Sequence, residues 1–210
     1  MIKIEMNPAM SDTLSSTIDI SAWFTALFGE PVTTTDTTNT IRVELMDSAV
    51  GPLVVGATDE GLCLVEFTDP QRMDSQVTSL RRLLPYNVQR GAHPYLKQVR
   101  QELTEYFAGQ RTHFEVPLLY PGSAFQRAVW TALLEIPYGE TRTYESLARQ
   151  IATAEAVRAV GGANGANRIA IVIPCHRVVN KSGKLGGYGG GLWRKKALLA
   201  LEQQQLTFQF

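Results

Sequence analysis

Hydrophobic and polar positions alternate with the two-residue period of β-strands over residues 41–67. The segments IRVELMDS and GPLVVGATDEGLCLVEF carry this alternation, and Asp59-Glu60-Gly61 within the second segment favours a hairpin turn. Apolar positions then recur at helical spacing in two segments. One begins at Asp69 with a proline in its first turn, and the other spans 93–109 and ends at a glycine. The pattern predicts a small α/β domain over residues 41–118.

The first 40 residues have a different character from this domain. Residues 1–17 are polar and rich in Ser and Thr, whereas residues 18–29 (DISAWFTALFGE) have the pattern of a short amphipathic helix that ends at Gly29. The run PVTTTDTTNT over 31–40 is typical of a linker. We therefore expect residues 1–40 to form an N-terminal extension with a short helix and a linker.

Helical patterns dominate the C-terminal part, residues 119–210. A helix predicted over 123–135 has inward-facing apolar positions at Phe125, Val129, Trp130 and Leu133. A short helix over 143–150 follows, and a third, capped by Thr153, is expected to run to about residue 163. Two short helices joined by a tight turn are typical of a helix-turn-helix motif. The second is rich in small residues, which would let it approach a nucleic-acid groove closely: Ala156, Ala159, Gly161, Gly162 and Ala163.

The size and composition of the chain narrow its class. Its 210 residues suffice for one or two small domains with hydrophobic cores. No apolar stretch reaches the roughly 18 residues of a transmembrane helix, and the N-terminus has no basic and apolar signal pattern. We therefore expect a cytoplasmic protein, nucleoid-associated in a prokaryote, in which Cys63 and Cys175 are free thiols. Cys63 alternates with apolar neighbours, so we expect it to belong to the core.

The zero net charge of the chain conceals an asymmetry. Residues 1–118 carry 9 Lys/Arg and 15 Asp/Glu, a balance of −6, whereas residues 119–210 carry 11 Lys/Arg and 5 Asp/Glu, a balance of +6. A basic half beside an acidic half indicates that a polyanion binds on one side only. Together with the helix-turn-helix pattern, this charge balance favours DNA as the partner of the C-terminal part.

The stretch Ile173-Pro174-Cys175-His176-Arg177-Val178-Val179 contains the main candidate for chemistry. It follows the hydrophobic run AIVI, which is expected to be a buried strand ended by the proline. A thiol needs a base or a positive neighbour to become a nucleophilic thiolate, and His176 is adjacent to Cys175. A Cys-His pair alone also fits a buried, inert cysteine, so the longer motif decides between these interpretations.

The motif IPCHRVV resembles the active-site signature of the O6-alkylguanine-DNA alkyltransferases, also called methylated-DNA–protein-cysteine methyltransferases. The resemblance continues in FQRAVWTALLEIPYGETRTYESLA (125–148), AVRAVGGANGANRIAIVIPCHRVV (156–179) and GKLGGYGGGLWRKKALLALE (183–202). It is weaker over 41–118 and absent from the first 40 residues. It implies an α/β (α+β) two-domain fold. The N-terminal domain would be a small antiparallel, ribonuclease-H-like sheet with helices, and the C-terminal one a winged-helix or helix-turn-helix-like domain that carries the active site.

Five residues take catalytic roles by this resemblance. Cys175 would be the nucleophile, His176 its base through a water molecule, and Glu202 the carboxylate that orients the histidine. Tyr144 would donate a proton to the leaving guanine and contact the DNA. Asn167 matches the asparagine whose side chain braces the turn behind the active-site strand.

The same resemblance identifies residues near DNA. Arg158 matches the arginine that takes the place of the extruded base, and extrusion is required because the target atom lies inside a duplex. Thr153, at the start of that helix, is placed for a backbone phosphate. Gln126 and Lys181 match positions close to DNA.

The resemblance also places an alkyl pocket around Tyr188, Gly189, Gly190 and Ala170. The glycines carry no Cβ atoms, so we expect them to leave space beside the thiol for groups larger than methyl. The chain departs from the family at one point, because Arg168 replaces the proline that usually follows the bracing asparagine. This turn is therefore not held rigid by a proline ring.

The function implied is stoichiometric DNA repair, in which one protein molecule irreversibly takes one alkyl group from O6 of guanine, or less readily from O4 of thymine. The expected partner is double-stranded DNA containing O6-alkylguanine, without membrane, and the protein is expected to be a monomer. No cofactor is implied. No metal site is expected either, because Cys63 with His93 or His113 is too small a ligand set for structural zinc.

Three alternative functions differ in what they require of the sequence. A non-catalytic relative that recognises the lesion and recruits other repair usually has tryptophan in place of the cysteine. A Cys-His hydrolase would not need the helix-turn-helix pattern, Arg158 or the charge asymmetry. A self-methylating transcription regulator carries an additional zinc domain with four cysteines. Cys175 distinguishes this chain from the first class, and its two cysteines distinguish it from the third.

Overall fold

The computed structural model describes residues 20–30 and 39–207, so the stretch 1–17 and most of the predicted linker, 31–38, lie outside the described residues. The N-terminal part contains α1 (Ile20–Phe28), β1 (Thr40–Met46), β2 (Leu53–Thr58), β3 (Gly61–Phe67), α2 (Pro70–Leu83), β4 (Asn87–Arg90) and α3 (Pro94–Phe107). The C-terminal part contains α4 (Ala124–Leu134), β5 (Arg142–Thr143), α5 (Tyr144–Ile151), α6 (Val157–Gly165), β6 (Val178–Val179) and α7 (Leu192–Thr207). No helix within these residues is long and apolar enough to cross a membrane.

The N-terminal domain is built on a four-stranded sheet with the order β3-β2-β1-β4. The strands β1, β2 and β3 pair antiparallel, as their alternating pattern predicts, and Asp59 and Glu60 form the turn between β2 and β3. The fourth strand, β4, pairs parallel with β1, so the sheet is mixed. The four residues of β4, NVQR, show no hydrophobic alternation, so the sequence pattern does not predict this strand.

The two faces of this sheet bury separate hydrophobic clusters. One cluster contains Ile41 and Val43 of β1 and is covered by α2 and by Phe24 and Phe28 of α1. The predicted helix is therefore present over Ile20–Phe28 and packs on the N-terminal domain. The opposite face continues through α3 into the core of the C-terminal domain.

Local capping signals fix where the helices begin. The side chains of Asp69 and His93 accept hydrogen bonds from backbone N–H groups in the first turns of α2 and α3. At α4, Ser123 and Gln126 form a reciprocal capping box, and Thr143 caps α5. These contacts satisfy N–H groups that have no partner inside the helix.

The pair α5 and α6 has the arrangement predicted for the helix-turn-helix, with one correction. Thr153 makes no side-chain capping hydrogen bond, so the predicted cap is wrong. The chain after Thr153 first forms a 3-10 turn over Ala154–Ala156, and α6 begins only at Val157. Thr153 is therefore too far from the free N–H groups of α6 to cap them.

The two domains are joined by backbone pairing next to the segment that leads to Cys175. Val65 N–H, in β3, donates to the Arg168 carbonyl at 2.8 Å, and Ala170 N–H donates to the Val65 carbonyl at 2.8 Å. From α2, Arg72 donates to the Asn167 carbonyl at 3.3 Å. The N-terminal domain therefore helps to hold residues 167–170 in position.

Candidate active site

The segment before Cys175 is a buried turn. The sequence predicts a strand for residues 170–173, and this prediction is wrong. Ile173 N–H donates to the Ile169 carbonyl at 2.9 Å, and Ile171 has a φ of 71°, a left-handed conformation that a β-branched residue rarely adopts. The hydrophobic run reflects burial of this turn, which the pattern cannot distinguish from burial of a strand.

Asn167 braces this turn with its side-chain amide. Its Nδ2 donates to the Ile173 carbonyl at 2.9 Å and to Sγ of Cys175 at 3.1 Å, while its Oδ1 accepts from Ile169 N–H at 2.9 Å. Such contacts stabilise the strained backbone at Ile171. They also fix the position of the Cys175 sulfur relative to the turn.

Cys175 is buried, with 5% of its surface exposed, and it begins a 3-10 turn over Cys175–Arg177. Burial raises the pKa of its thiol above the ordinary value, while the hydrogen bond from Asn167 and the charge of Arg72 act in the opposite direction. The thiol is therefore protonated at neutral pH. A base must remove its proton before or during nucleophilic attack.

His176 has the geometry of such a base. Its Nε2 lies 2.7 Å from Oε1 of Glu202, and a carboxylate can only accept, so Nε2 carries the hydrogen. Burial lowers the pKa of His176 below its ordinary value, which keeps the ring neutral. The other nitrogen, Nδ1, is then unprotonated, and it has no hydrogen-bond partner among the described residues.

Glu202 is held as an anion by hydrogen bonds from four residues: His176, Arg177, Tyr106 and Gly139. Arg177 donates to both carboxylate oxygens, at 2.9 and 3.1 Å, and Tyr106 Oη and Gly139 N–H donate at 2.7 and 3.1 Å. Burial alone would raise the pKa of Glu202. The hydrogen bonds from His176 and Arg177 and the positive charge of Arg177 outweigh burial and hold the pKa below its ordinary value. Glu202 therefore orients His176 as a charged partner.

Tyr144 begins α5 beside the thiol. Burial and the proximity of Cys175 raise the pKa of its hydroxyl, which keeps Tyr144 in the protonated form that can donate. Lys195 is fully buried nearby, and its Nζ donates to the Val178 carbonyl at 2.5 Å and lies 6.0 Å from the Tyr144 ring centroid. Burial lowers the pKa of Lys195 to about 8.

A cavity of about 340 Å³ opens beside Cys175. Its wall includes all four residues predicted for the alkyl pocket, which are Tyr188, Gly189, Gly190 and Ala170, together with Tyr144. Two further residues of the wall, Phe67 and Arg72, come from the N-terminal domain. The site is therefore assembled from both domains.

Gly189 and Gly190 do not leave open space, contrary to the expectation from sequence. A Cβ atom on Gly189 would overlap the guanidinium of Arg72, and one on Gly190 would overlap the ring of Phe67. Glycine is needed at both positions because the N-terminal domain approaches the loop closely. Phe67 and Arg72 therefore limit the cavity where the sequence predicts free volume.

The residues predicted to contact DNA differ in their surroundings. Arg158 is exposed near the start of α6, and Thr153 is exposed before it. A Cβ on Gly161 or Gly162 of this helix would meet no other atom within 4 Å, so the small-residue face of α6 is open.

The other two predicted DNA contacts are already engaged within the protein. Gln126 is half-buried and its side chain completes the capping box of α4. Lys181 is exposed, and its Nζ lies 3.0 Å from a carboxylate oxygen of Glu145. Either side chain would have to give up these contacts to bind a phosphate.

Arg168, which replaces the family proline, ties the turn to its surroundings with its side chain. It donates to Oγ of Ser79, in α2, at 3.2 Å and to the Pro121 carbonyl, and its guanidinium lies 5.3 Å from the centroid of the Trp130 ring. Burial lowers its pKa below the ordinary value. The side chain thus supplies an anchor where a proline ring would restrict the backbone.

Five further residues at the site have no role predicted from the sequence: Phe67, Arg72, Tyr106, Arg177 and Lys195. Arg177 lies inside the heptapeptide and Lys195 inside the last matched segment. Their closeness to the motif residues in sequence could have indicated that both lie at the site. Phe67, Arg72 and Tyr106 are distant from Cys175 in sequence. Phe67 and Tyr106 have the pattern of core residues and Arg72 that of an exposed helix face, so their sequence pattern does not indicate a place at the site.

Comparison with protein families matches both domains. Residues 41–120 match the family described as 6-O-methylguanine DNA methyltransferase, ribonuclease-like domain, and residues 124–204 match 6-O-methylguanine DNA methyltransferase, DNA binding domain. The chain is 45% identical over 166 residues to a methylated-DNA–protein-cysteine methyltransferase of Mycobacterium leprae, covering 79% of this chain and 94% of the relative. A protein of the same name from Methanosarcina acetivorans is 41% identical over 162 residues, covering 75% and 96%.

Solved structures agree with these matches. The crystal structure of Mycobacterium tuberculosis OGT in complex with DNA superposes with a TM-score of 0.66 at 41% identity, covering 79% of this chain and 94% of that one. The O6-methylguanine-DNA methyltransferase of Pyrococcus kodakaraensis gives a TM-score of 0.57 at 26% identity, covering 77% and 98%. With both domains matched in order, this chain belongs to the 6-O-methylguanine DNA methyltransferase family.

Proposed function

We propose that this protein repairs alkylated DNA by transferring the alkyl group of O6-alkylguanine, and less readily of O4-alkylthymine, to Cys175. The observation that carries the proposal is the arrangement around the thiol. Cys175 Sγ accepts a hydrogen bond from Asn167 and lies at the wall of a cavity, and its neighbour His176 is a neutral base oriented by Glu202. This arrangement brings together a nucleophile, a proton acceptor and a cavity for the alkylated nucleobase.

The reaction consists of one substitution at the alkyl carbon. His176 Nδ1 takes the thiol proton through a bridging water, a bond forms between Sγ and the alkyl carbon, and the bond between that carbon and the guanine oxygen breaks. The electron pair of the broken bond stays with the guanine, which gains a proton from the Tyr144 hydroxyl. The carbon–sulfur bond of the product thioether is stable to hydrolysis, so each molecule acts once.

Positioning contributes more to this reaction than the acidity of the thiol. Complete ionisation of an ordinary thiol at neutral pH would gain at most about 2 kcal/mol, whereas aligned placement of nucleophile and target can contribute about 7–11 kcal/mol. The raised pKa of the Cys175 thiol agrees with a larger contribution from positioning than from acidity. Asn167 and the two-domain cavity wall supply the alignment.

Binding of double-stranded DNA is proposed to use the open, small-residue face of α6. Arg158, exposed on this helix, enters the stack as the target base leaves it, and a wedge of this kind is common in minor-groove binding. The balance of +6 over residues 119–210 supplies attraction to the phosphates. Thr153, and Lys181 once released from Glu145, lie on exposed positions that can reach the backbone.

The protein is further proposed to act as a monomer in the cytoplasm. The free state of both Cys63 and Cys175 supports a reducing compartment.

A titration tests the proposed function. A duplex carrying radiolabelled O6-methylguanine is added in excess to the protein, and protein-bound label is counted with time. We expect label to saturate at one equivalent per protein, with no transfer to Cys175→Ala and full transfer to the control Cys63→Ala. Release of several equivalents of product per protein would contradict the proposal.

A further inference from the structure

Arg194 lies in the first turn of α7, close to the active-site cavity but outside its wall. A cation is unfavourable at this end of a helix, because the free N–H groups of the first turn carry partial positive charge. Burial of the guanidinium also lowers the pKa of Arg194 below its ordinary value, and no carboxylate among the described residues forms an ion pair with it. Its place in the structure therefore depends on other contacts.

The guanidinium of Arg194 contacts groups from both domains. Its Nε donates to the Val50 carbonyl, in the loop between β1 and β2, at 2.8 Å, and its Nη1 donates to the Gly190 carbonyl at 2.8 Å. Its Cζ lies 4.5 Å from the centroid of the Phe67 ring and 4.6 Å from that of the Trp193 ring, within the range of cation–π contacts. One side chain thus joins the N-terminal domain to the segment that follows Tyr188.

Two of the groups that Arg194 contacts, Phe67 and Gly190, form part of the cavity wall beside Cys175. They lie so close together that a Cβ atom on Gly190 would be 2.3 Å from the Phe67 ring. The pocket loop, residues 186–191, contains five glycines, so its own sequence restricts its backbone little. Contacts from outside the loop must hold it against Phe67, and Arg194 supplies such contacts.

We propose that Arg194 is a positioning residue that sets the width of the cavity, and thereby the size of the alkyl group that reaches Cys175. It acts by holding the pocket loop against the N-terminal domain. Without this contact the loop moves away from Phe67, so a bulky group gains room while a small group is placed less precisely. The inference rests on the proposed function and names a determinant of alkyl-group size within that site.

The first test compares transfer from two duplexes of the same sequence, one with O6-methylguanine and one with O6-benzylguanine. Because both substrates bind through the same DNA, the ratio of their single-turnover rate constants reports on the cavity and not on DNA affinity. Arg194→Met keeps a long side chain without charge or donors. We expect its benzyl-to-methyl ratio to rise about three- to tenfold over wild type, the range that one hydrogen bond contributes.

Three further variants make this comparison specific. Arg194→Lys keeps the charge and one donor group, so its ratio should lie between those of wild type and Arg194→Met, and it decides the question if the methionine variant does not fold. Lys196→Met removes an exposed charge from the same helix, and Val54→Ala destabilises the cluster on the opposite face of the N-terminal sheet. Neither of these controls should change the ratio. An unchanged or lower ratio in the Arg194 variants, or an equal rise in either control, would overturn the inference.

Amide hydrogen exchange tests the same contact without any alkyl transfer. The Gly191 N–H donates to the Tyr188 carbonyl at 3.0 Å inside the pocket loop. We expect this amide to exchange about three- to tenfold faster in Arg194→Met, with exchange in α3 unchanged. Unchanged exchange in the pocket loop would overturn the inference. If this amide exchanges faster in Arg194→Met but wild type transfers neither alkyl group, the proposed function is contradicted instead.

Discussion

Tyr106 of the N-terminal domain donates a hydrogen bond of 2.7 Å to Glu202, the carboxylate that orients His176 in the C-terminal domain. Both side chains are fully buried. The N-terminal domain thus contacts the proposed catalytic residues directly, in addition to forming part of the cavity wall through Phe67 and Arg72.

Replacing Tyr106 by phenylalanine removes one donor to a buried carboxylate and leaves the ring in place. We expect the free energy of unfolding to fall by about 1.5–3 kcal/mol, the range for a hydrogen bond to a charged group. Urea unfolding measures this change. Tyr95→Phe on the same helix is the control, because the Tyr95 hydroxyl makes no hydrogen bond within the described residues. Equal losses in the two variants would show that the Tyr106–Glu202 contact contributes no net stability.

The rate of alkyl transfer should depend on pH through His176. Because burial lowers its pKa, His176 stays neutral and able to accept a proton at pH values below the ordinary histidine pKa of about 6.5. We expect the rate constant to stay level as the pH falls from 7.5 to about 6.5 and to decrease only at lower pH. Single-turnover rates across this range give the profile. A decrease with its midpoint above about 6.5 would contradict the assignment of a buried neutral base.

The close approach of Gly190 to Phe67 predicts a steric effect of a single methyl group. Gly190→Ala should lower the free energy of unfolding by about 1–3 kcal/mol and slow alkyl transfer, because the added Cβ forces the pocket loop or the Phe67 ring to move. Gly187→Ala is the matched control for stability, since its Cβ would meet no atom within 4 Å. Thermal unfolding compares the two variants, and transfer rates for O6-methyl- and O6-benzylguanine are measured for Gly190→Ala against wild type, because Gly187 itself lines the cavity. If Gly190→Ala behaves like Gly187→Ala, the loop does not pack against the N-terminal domain in solution.

Arg158 should matter for base extrusion and not for the transfer step. Because extrusion from a duplex costs a few kcal/mol, Arg158→Ala should slow repair of duplex DNA by about tenfold or more. Its reaction with free O6-benzylguanine, which needs no extrusion, should change little. Arg149→Ala removes another exposed arginine, on α5, and serves as the comparison. A similar loss on both substrates would place Arg158 in another role.

Much of the fold was accessible from local sequence signals. The starts of α2 and α4 follow from Asp69 and Ser123, because a cap acts on amides only two or three residues away. The heptapeptide around Cys175 identified the nucleophile and its neighbouring base by resemblance. Family membership and the two-domain fold are confirmed by the comparisons, whereas the roles of the individual site residues remain predictions.

The remaining features depend on contacts between distant segments. Phe67 and Arg72 enter the cavity wall only because β3 pairs with the turn before Cys175, and no local pattern encodes that pairing. Lys195 lies in the charged run RKK, which is typical of an exposed helix face, yet it is fully buried. The hydrophobic run over 170–173 predicted a strand because hydrophobicity reports burial and not backbone conformation.

The residue that carries the transferred methyl group shows whether Cys175 is the nucleophile. The protein is reacted with a duplex containing isotopically labelled O6-methylguanine, digested, and analysed by peptide mass spectrometry. We expect one labelled methyl thioether on Cys175, an unlabelled Cys63, and unmodified guanine restored in the DNA. Label on Cys63 or on any other residue, or label released as a small molecule while Cys175 stays unmodified, would contradict the assignment of Cys175 as the nucleophile.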